Sequence, residues 1–373
     1  MKLINNVVYI ADINLPSFRA HAIHVLKMVD NFCEVSRNVK LIVNFKDKGL
    51  NLKKIKKIFY LHNNIKNFQI DSVNLFKKKN DFFSRVKFGY NSSKILKNFG
   101  GLIITRSFYV SFFLYFYNKK HILEIHQELS GLTNFFFRIL QLFGYSNFTK
   151  IIFITKSLSD YYKKFDLNYK ILPDAVDLRD FKYKKKLNSK ISRVFYVGSF
   201  YKGRGIELIL DIAKLLPKKK FILYGKRDEK MNENFLPKNV KIYNYVPFYK
   251  IPKILRKADL LLMPYSLSGV SINSNKIDTS KYASPMKMFE YLASGVPLIS
   301  SNLKVLKEIL KDKNNCLIAK DNDPKTWVEN IMKLENKTKL KKKISSNGLK
   351  TASTNTWLKR VVKIIKWDKR NTI

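Results

Sequence analysis

Ser284 to Ser301, SPMKMFEYLASGVPLISS, is the stretch from which the rest of this 373-residue chain can be read. Ser284 offers a hydroxyl at an N-cap position, and Pro285 stands where a helix begins, since a missing N–H costs nothing in a first turn. The spacing predicts a helix from about Pro285, with Met286, Met288, Phe289, Leu292 and Ala293 turned inward and Lys287 and Glu290, three apart, sharing another face. Gly295 closes the helix, and Val296-Pro297-Leu298-Ile299-Ser300 reads as a short strand buried on both sides. Loop, helix, turn and strand in this order belong to a parallel α/β sheet.

The start of such a helix also has a chemistry. Its positive dipole end, from Ser284 and Pro285 through Met286 to Lys287, suits an anion such as a diphosphate, and Lys287 adds a full charge. Glu290 lies nearly two turns inward, placed to accept hydrogen bonds from sugar hydroxyls such as those of a ribose. From the stretch alone, an ordinary crossover helix with an exposed lysine and glutamate remains an equal reading.

Extended to Leu310, the stretch SPMKMFEYLASGVPLISSNLKVLKEIL closely resembles the donor-binding segment of the retaining glycosyltransferases of family 4. That resemblance implies an α/β chain of the GT-B fold: two Rossmann-like domains facing each other across a cleft, nucleotide-sugar donor on the second and acceptor on the first. The family's signature is Glu, seven residues, Glu. Its second position falls on Glu290, whereas the first holds Tyr282, a departure at a residue that in the family contacts the transferred sugar. Only Glu290, with Ser284 to Lys287 as the turn at sugar and phosphate, carries over.

Working outward, Arg193 to Gly198 reads as a strand ending in glycine, followed by Ser199-Phe200-Tyr201-Lys202-Gly203-Arg204-Gly205. Glycines let backbone approach a diphosphate and cations offset charge on a leaving group. The resemblance matches Arg204-Gly205 to the family's basic residue before glycine and makes Arg204, with Lys202 second, the catalytic cations. Ser199 stands where the family usually has arginine. Phe221 to Gly225 repeats the strand-then-glycine form, and the resemblance makes Val246 and Pro247 a nucleobase site. Ile171 to Asp177 matches the family's domain-crossing element, with Ala175 in place of glycine. The expected layout is residues 1–180 as acceptor-side domain, 181–192 as linker, 193–355 as donor domain, and 356–373 as a helix crossing back to the first domain. Further expectations are a polar loop over Tyr265 to Lys281, a helix over Asn302 to Leu310 and an edge strand over Asn315 to Lys320.

In the first half, Val7 to Ala11 reads as a buried strand, Ala20 to Val35 as a helix carrying His21 and His24, and Leu102 to Thr105 as a strand followed by Arg106. His121 to Ile125 is the next strand, ending at His126. Ligands of open α/β sheets gather at the carboxyl ends of strands. The resemblance makes His126 the residue near the transferred sugar and puts His24 on the helix that approaches donor phosphates and acceptor, while Arg106, at a strand's carboxyl end, is an acceptor-side candidate by position. Either histidine also has a structural reading, solvated on the helix for His24 and capping or core for His126.

Composition bounds the partners. Lys and Arg number 72 against 28 acids, a formal net charge of +44, which attracts polyanions: nucleic acid, anionic lipid headgroups or phosphorylated substrates. The lysines are spread along the chain with no recognised nucleic-acid module, so no specific nucleic-acid partner is expected. Cys33 and Cys316 have no metal-ligand spacing, and no acidic metal triad is evident, so neither metal nor other cofactor is expected. The longest apolar run, Phe108 to Tyr117, is about half the ~20 residues of a membrane span, and the first strand is too short for a signal peptide. Mixed aromatic and basic stretches, Leu75 to Lys87 and Phe108 to Lys120, with the aromatic helix Leu132 to Phe143, suit an interfacial surface. The expectation is a cytoplasmic enzyme, peripherally bound to the anionic inner face of the membrane, moving a sugar from a nucleotide-sugar to a glycan acceptor, with a lipid-linked acceptor favoured. Charge alone also fits a nucleic-acid-binding protein. Tyr282 leaves room for a non-catalytic nucleotide-sugar-binding partner of a membrane assembly.

Overall fold

A computed structural model describes residues 2–45, 52–59, 61–62, 67–72, 81–181, 187–225, 236–267, 269–270, 278, 280–320 and 322–369. The chain divides into two compact units, Met1–Pro173 with Trp357–Ile373, and Asp174–Thr356. Each is built on a parallel sheet.

The first unit follows the chain as β1 (Ile4–Leu15), α1 (Ala20–Val35), β2 (Ser36–Phe45), α2 (Leu52–Phe59), β3 (Phe68–Ser72), α3 (Phe82–Ile95), β4 (Leu102–Thr105), α4 (Phe108–Phe116), β5 (His121–Ile125), α5 (Gly131–Leu142), β6 (Thr149–Phe153), α6 (Lys156–Ser159) and β7 (Tyr169–Ile171). Among the described residues the strand order is β3-β2-β1-β4-β5-β6-β7, so the sheet reverses its direction of growth between β1 and β4. Val8, Ile10, Ile42 and Ile103 from its central strands pack against Phe88, Leu96, Val110 and Leu114. Strands buried on both faces explain the continuous apolar runs. Asp81 caps α3, its carboxylate accepting from the Ser84 backbone N–H at 2.7 Å. The interfacial stretch expected from Leu75 thus becomes a capped helix from Phe82, while residues 75–80 lie outside the described residues.

The second unit comprises β8 (Arg193–Val197), α7 (Ile206–Leu215), β9 (Lys220–Tyr224), β10 (Val240–Tyr243), α8 (Ile251–Leu255), β11 (Leu260–Met263), α9 (Met286–Ala293), β12 (Leu298–Ser301), β13 (Leu317–Ala319), α10 (Pro324–Asn336) and α11 (Thr338–Thr354). Its order is β10-β9-β8-β11-β12-β13, reversing between β8 and β11. The reversal leaves a crevice at the carboxyl ends of those two strands, where ligands bind in such sheets.

The crossing falls inside the expected Ile171–Asp177 element, while the first unit ends earlier than expected. The unit boundary falls after Pro173 rather than at residue 180. Val176 and Phe181 are buried in the second core because the segment after Pro173 carries apolar side chains with nowhere else to pack. Of the expected linker, residues 182–186 lie outside the described residues, and the remainder is docked: Ile191 is 1% exposed, and Ser192 and Arg193 donate backbone hydrogen bonds to the Asp259 carboxylate at 3.1 and 2.9 Å. Asn302 to Leu310 forms only a 3-10 turn, Leu306–Glu308, instead of the expected helix.

The last helix, α12 (Trp357–Lys369), belongs to the first unit and buries Trp357, Val361, Ile364, Ile365 and Trp367 along one face. Arg360 is buried with them. Its guanidinium donates to Glu124 Oε1 on β5 and, at 3.1 Å, to the Leu172 carbonyl. Tyr9 on β1 donates to the other Glu124 oxygen. Burial opposes ionisation of Glu124, but the Arg360 guanidinium, with His24, overcomes it and holds the carboxyl well below the usual carboxylate range. Breaking one side of a buried ion pair leaves an uncompensated charge at a cost of about 3–5 kcal/mol. Arg360→Met is therefore expected to lose about that much stability in chemical denaturation at pH 7, and adding Glu124→Gln should recover part of it; an unaltered midpoint in the single variant would show the pair to be idle.

Candidate active site

In the second unit, backbone turns, two cations and a carboxylate converge at the sheet reversal. β8 is followed by Gly198, whose backbone N–H donates to Tyr224 O at 2.8 Å, and a glycine turn leads into α7. Gly203 and Gly205 both hold left-handed conformations, φ 77° and 74°, which glycine adopts without steric cost. Space makes the same demand at Gly205: a Cβ there would lie 1.7 Å from the Pro264 carbonyl at the end of β11. The Ser266 backbone N–H donates to Gly203 O at 2.9 Å, so the glycine turn and the segment after β11 are stitched together.

Arg204 emerges from this turn with its guanidinium carbon 4.7 Å from the centre of the Tyr265 ring. Lys287, in the first turn of α9, reaches the same ring at 5.1 Å and the Tyr196 ring at 4.0 Å. Its Nζ is buried and makes no hydrogen bond among the described residues. Gly198 lets it in, because a Cβ on Gly198 would lie 2.4 Å from that Nζ. Burial first, then the charge of Arg204, push the Lys287 amine well below its ordinary range, while Glu290 acts in the opposite sense.

Glu290 is 6% exposed, and its charge reaches the hydroxyls of Tyr265 and Tyr245. Tyr245 directly precedes Val246 and Pro247, so the expected nucleobase turn and Glu290 lie close together. Val246 is half-buried against the core, and Pro247 starts the turn Phe248–Lys250. Gly225 is packed tightly, a Cβ there falling 2.0 Å from Gly198 O, so the two strand-end glycines touch through backbone.

Two expectations need correction here. Ser284 does not cap α9: Pro285 occupies the N-cap position, and the Ser284 hydroxyl instead accepts a hydrogen bond from the Asp174 backbone N–H at 3.1 Å. The hydroxyl is recruited by a backbone donor from a distant part of the chain, which local spacing does not disclose. Lys202 is exposed on the glycine turn, and the second cation beside Arg204 is Lys287. Met286 is buried with the apolar face of α9. Tyr282 is buried. Of the loop over Tyr265 to Lys281, residues 268, 271–277 and 279 lie outside the described residues; Asp278 accepts from the Gly269 and Val270 backbone N–H groups, both at 3.1 Å.

The rings were not singled out by sequence. Tyr265 is the face against which both cations rest, Tyr196 is a second face against Lys287, and Tyr291 pins α9 to β8, its oxygen accepting from Val197 N–H at 2.7 Å. The readable signal was position: Tyr265 lies just beyond β11, at the sheet reversal.

The expected first-domain residues cluster as well. His24 on α1 stands edge-on to His126, ring centres 4.7 Å apart, and to Trp357 at 4.9 Å. Its Nε2 lies 3.5 Å from Glu124 Oε2. Arg106, following β4, donates through Nη1 to the His21 carbonyl at 3.0 Å. His126 Nε2 is buried and makes no hydrogen bond among the described residues. Burial, followed by the charges of Arg106 and His24, holds the His126 imidazole well below its usual range against the pull of Glu124, so the ring is neutral at pH 7. His21 is lowered to about 4 by burial and Arg106.

The glycine geometry yields a direct test. Gly205→Ala meets the Pro264 carbonyl and places a side chain at positive φ, each costing about 1–3 kcal/mol. A thermal melt should show a large drop in Tm or no soluble protein, whereas Gly131→Ala, where a Cβ meets nothing within 4 Å, pays only for its φ of 54°. Equal losses in the two variants would mean that close approach to β11 is not what fixes Gly205.

Residues 179–351 match the family described as glycosyl transferases group 1. The uncharacterized glycosyltransferase MJ1178 of Methanocaldococcus jannaschii is 27% identical over 176 residues, which are 46% of this chain and 46% of that protein, so the match spans about half the relative's length. Sucrose-phosphate synthase from Thermosynechococcus elongatus superposes with a TM-score of 0.72 over 98% of both chains at 13% identity. HepE of Anabaena, solved in complex with UDP-glucose, superposes with a TM-score of 0.65 over 98% of this chain and 99% of its own at 11% identity. The chain thus has the GT-B fold, and its second unit matches group 1 of the glycosyl transferases.

Proposed function

We propose that the protein transfers a sugar from a nucleotide-sugar to a glycan acceptor, with retention at the anomeric carbon. The observation that carries this reading is the meeting of the Gly198 and Gly205 turns, Arg204, Lys287 and the start of α9 at one sheet reversal, with Glu290 beyond. Two cations beside backbone that can approach closely suit a departing nucleoside diphosphate, whose charge is fullest in the transition state. Glu290 would anchor ribose hydroxyls, and the turn at Val246 and Pro247 would hold the base. In the first domain, the neutral His126 would hydrogen-bond the transferred sugar, with His24 and Arg106 on the acceptor side. With fixed cations at the leaving group, we propose that no metal is required. The UDP-glucose bound to HepE supports a nucleotide-sugar as donor class.

A thermal-shift panel of nucleotide-sugars, followed by calorimetry on those that stabilise the protein, tests this directly. Glu290→Ala should weaken binding of the best donor by about 1.5–3 kcal/mol while leaving the fold intact, since hydrogen bonds to a charged group are worth about that much. Equal affinity in mutant and parent removes Glu290 from the donor site. Failure of the whole panel would favour a nucleic-acid-binding protein, and donor binding with no turnover a non-catalytic partner.

The acceptor is proposed to be lipid-linked, in cell-surface polysaccharide or lipopolysaccharide synthesis, with the protein held peripherally at the cytoplasmic face of the membrane. No helix among the described residues is long and apolar enough to cross a bilayer. Aromatic rings run in contact from Tyr90 through Phe113, Phe112 and Phe136 to Phe135 across α3, α4 and α5, with Phe135, Leu142 and Phe143 exposed. Together with the +44 charge this favours an anionic bilayer, each nearby Lys or Arg adding about 1 kcal/mol. Liposome flotation of the full chain should rise with anionic lipid fraction, fall with salt, and weaken in Phe135→Ser with Phe143→Ser. Flotation indifferent to both lipid charge and these changes would count against a membrane role.

A further inference from the structure

We propose that Lys287 is a neutral amine in the empty site and takes up one proton from solvent when a diphosphate group binds beside it, so that donor binding and protonation of Lys287 are one coupled event. The inference rests on the donor-site reading above and adds what that site does with charge.

Geometry comes first. An ammonium carries three donors and no acceptor, and a buried one must have partners or lose its charge. Lys287 Nζ is buried without a hydrogen bond among the described residues. From β8 it meets the Tyr196 ring at 4.0 Å and lies against the Cα of Gly198; from the segment after β11 it meets the Tyr265 ring at 5.1 Å. The turn into α7 contributes Arg204, which presses on the same Tyr265 ring at 4.7 Å and is charged at every accessible pH. Its own helix contributes Glu290 and, buried beside it, the phenol of Tyr291. Ring faces and Glu290 favour the cation, whereas loss of water and the guanidinium oppose it. The opposing side prevails: burial and Arg204 together depress the amine well below its ordinary range despite Glu290.

A diphosphate reverses each unfavourable factor. Its oxygens accept from the amine, and its negative charge outweighs the repulsion of Arg204. The nitrogen lone pair then binds a proton, and one net proton enters per ligand. Lysine rather than arginine is required, because only lysine can discard its charge when the site is empty. The site therefore avoids holding two adjacent cations until the anion arrives.

Calorimetry of the full chain with UDP at pH 8, in buffers of different ionisation enthalpy, reads this uptake. The terminal phosphate ionises near about 6, so at pH 8 it contributes no proton change of its own. We expect close to one proton taken up per UDP, and affinity falling by up to about tenfold per pH unit within the window between the empty and occupied states, because protons bind with the ligand. Lys287→Arg should bind UDP with neither proton uptake nor that slope. Normal UDP binding without buffer dependence in the parent, or uptake persisting in Lys287→Arg, overturns the inference and leaves the donor site standing. If neither UDP, GDP nor ADP binds the parent, the donor reading falls and the inference with it.

Discussion

A carboxylate removed from water must be compensated where it stands, and Glu124 is compensated from three directions. Tyr9 reaches it from the first strand, His24 from the first helix and Arg360 from the last helix. The network thereby ties β1 and α1 to α12 through β5 inside one domain. Arg360 extends the same tie to the carbonyl of Leu172, beside the point where the backbone leaves for the second unit. Because both charges are almost wholly buried, at 2% and 4% exposed, neither can be satisfied by solvent if the other moves. A buried pair of this kind contributes less to net stability than to fixing which arrangement is acceptable. Here it fixes where α12 lies, and with α12 come Trp357 and the ring it presents to His24.

The second domain solves a different problem with different means. It brings backbone from β8, the turn into α7 and the end of β11 into close approach. Any side chain at Gly198, Gly205 or Gly225 would occupy that space. Glycine is thus required by volume at all three, and at Gly205 by conformation too. The space so kept is filled from the side by Lys287 and Arg204, both lying against the Tyr265 ring. The two domains contrast in this respect: the first sets a buried carboxylate against a buried guanidinium, and the second sets Arg204 and Lys287 against one tyrosine ring.

Much of this was legible in the chain. The strands over Leu102 to Thr105 and His121 to Ile125, and the helix over Ala20 to Val35, follow from apolar runs and periodicity, signals that neighbours reinforce. The α9 stretch announced itself through Ser-Pro, helical spacing and Gly295. Less legible were features that depend on which distant group comes near. Ser284 looks like a cap and serves Asp174 instead; Lys202 and Lys287 are both plausible cations by type, and only one is turned inward. Glu124 looks like one more residue of a strand, and Arg360 like one more base in a basic tail.

The sequence by itself determined the fold class, the order of elements and the chemical kinds of residue at the sheet reversal, because these rest on local periodicity, on turn chemistry and on glycines that local backbone demands. Only the tertiary structure decided that Lys287 is turned inward beside Arg204 while Lys202 is exposed, that the segment after Pro173 docks into the second core, and that Arg360 closes on Glu124. Those outcomes depend on burial and on charges brought together from separate parts of the chain, and neither is written in the spacing of neighbouring residues.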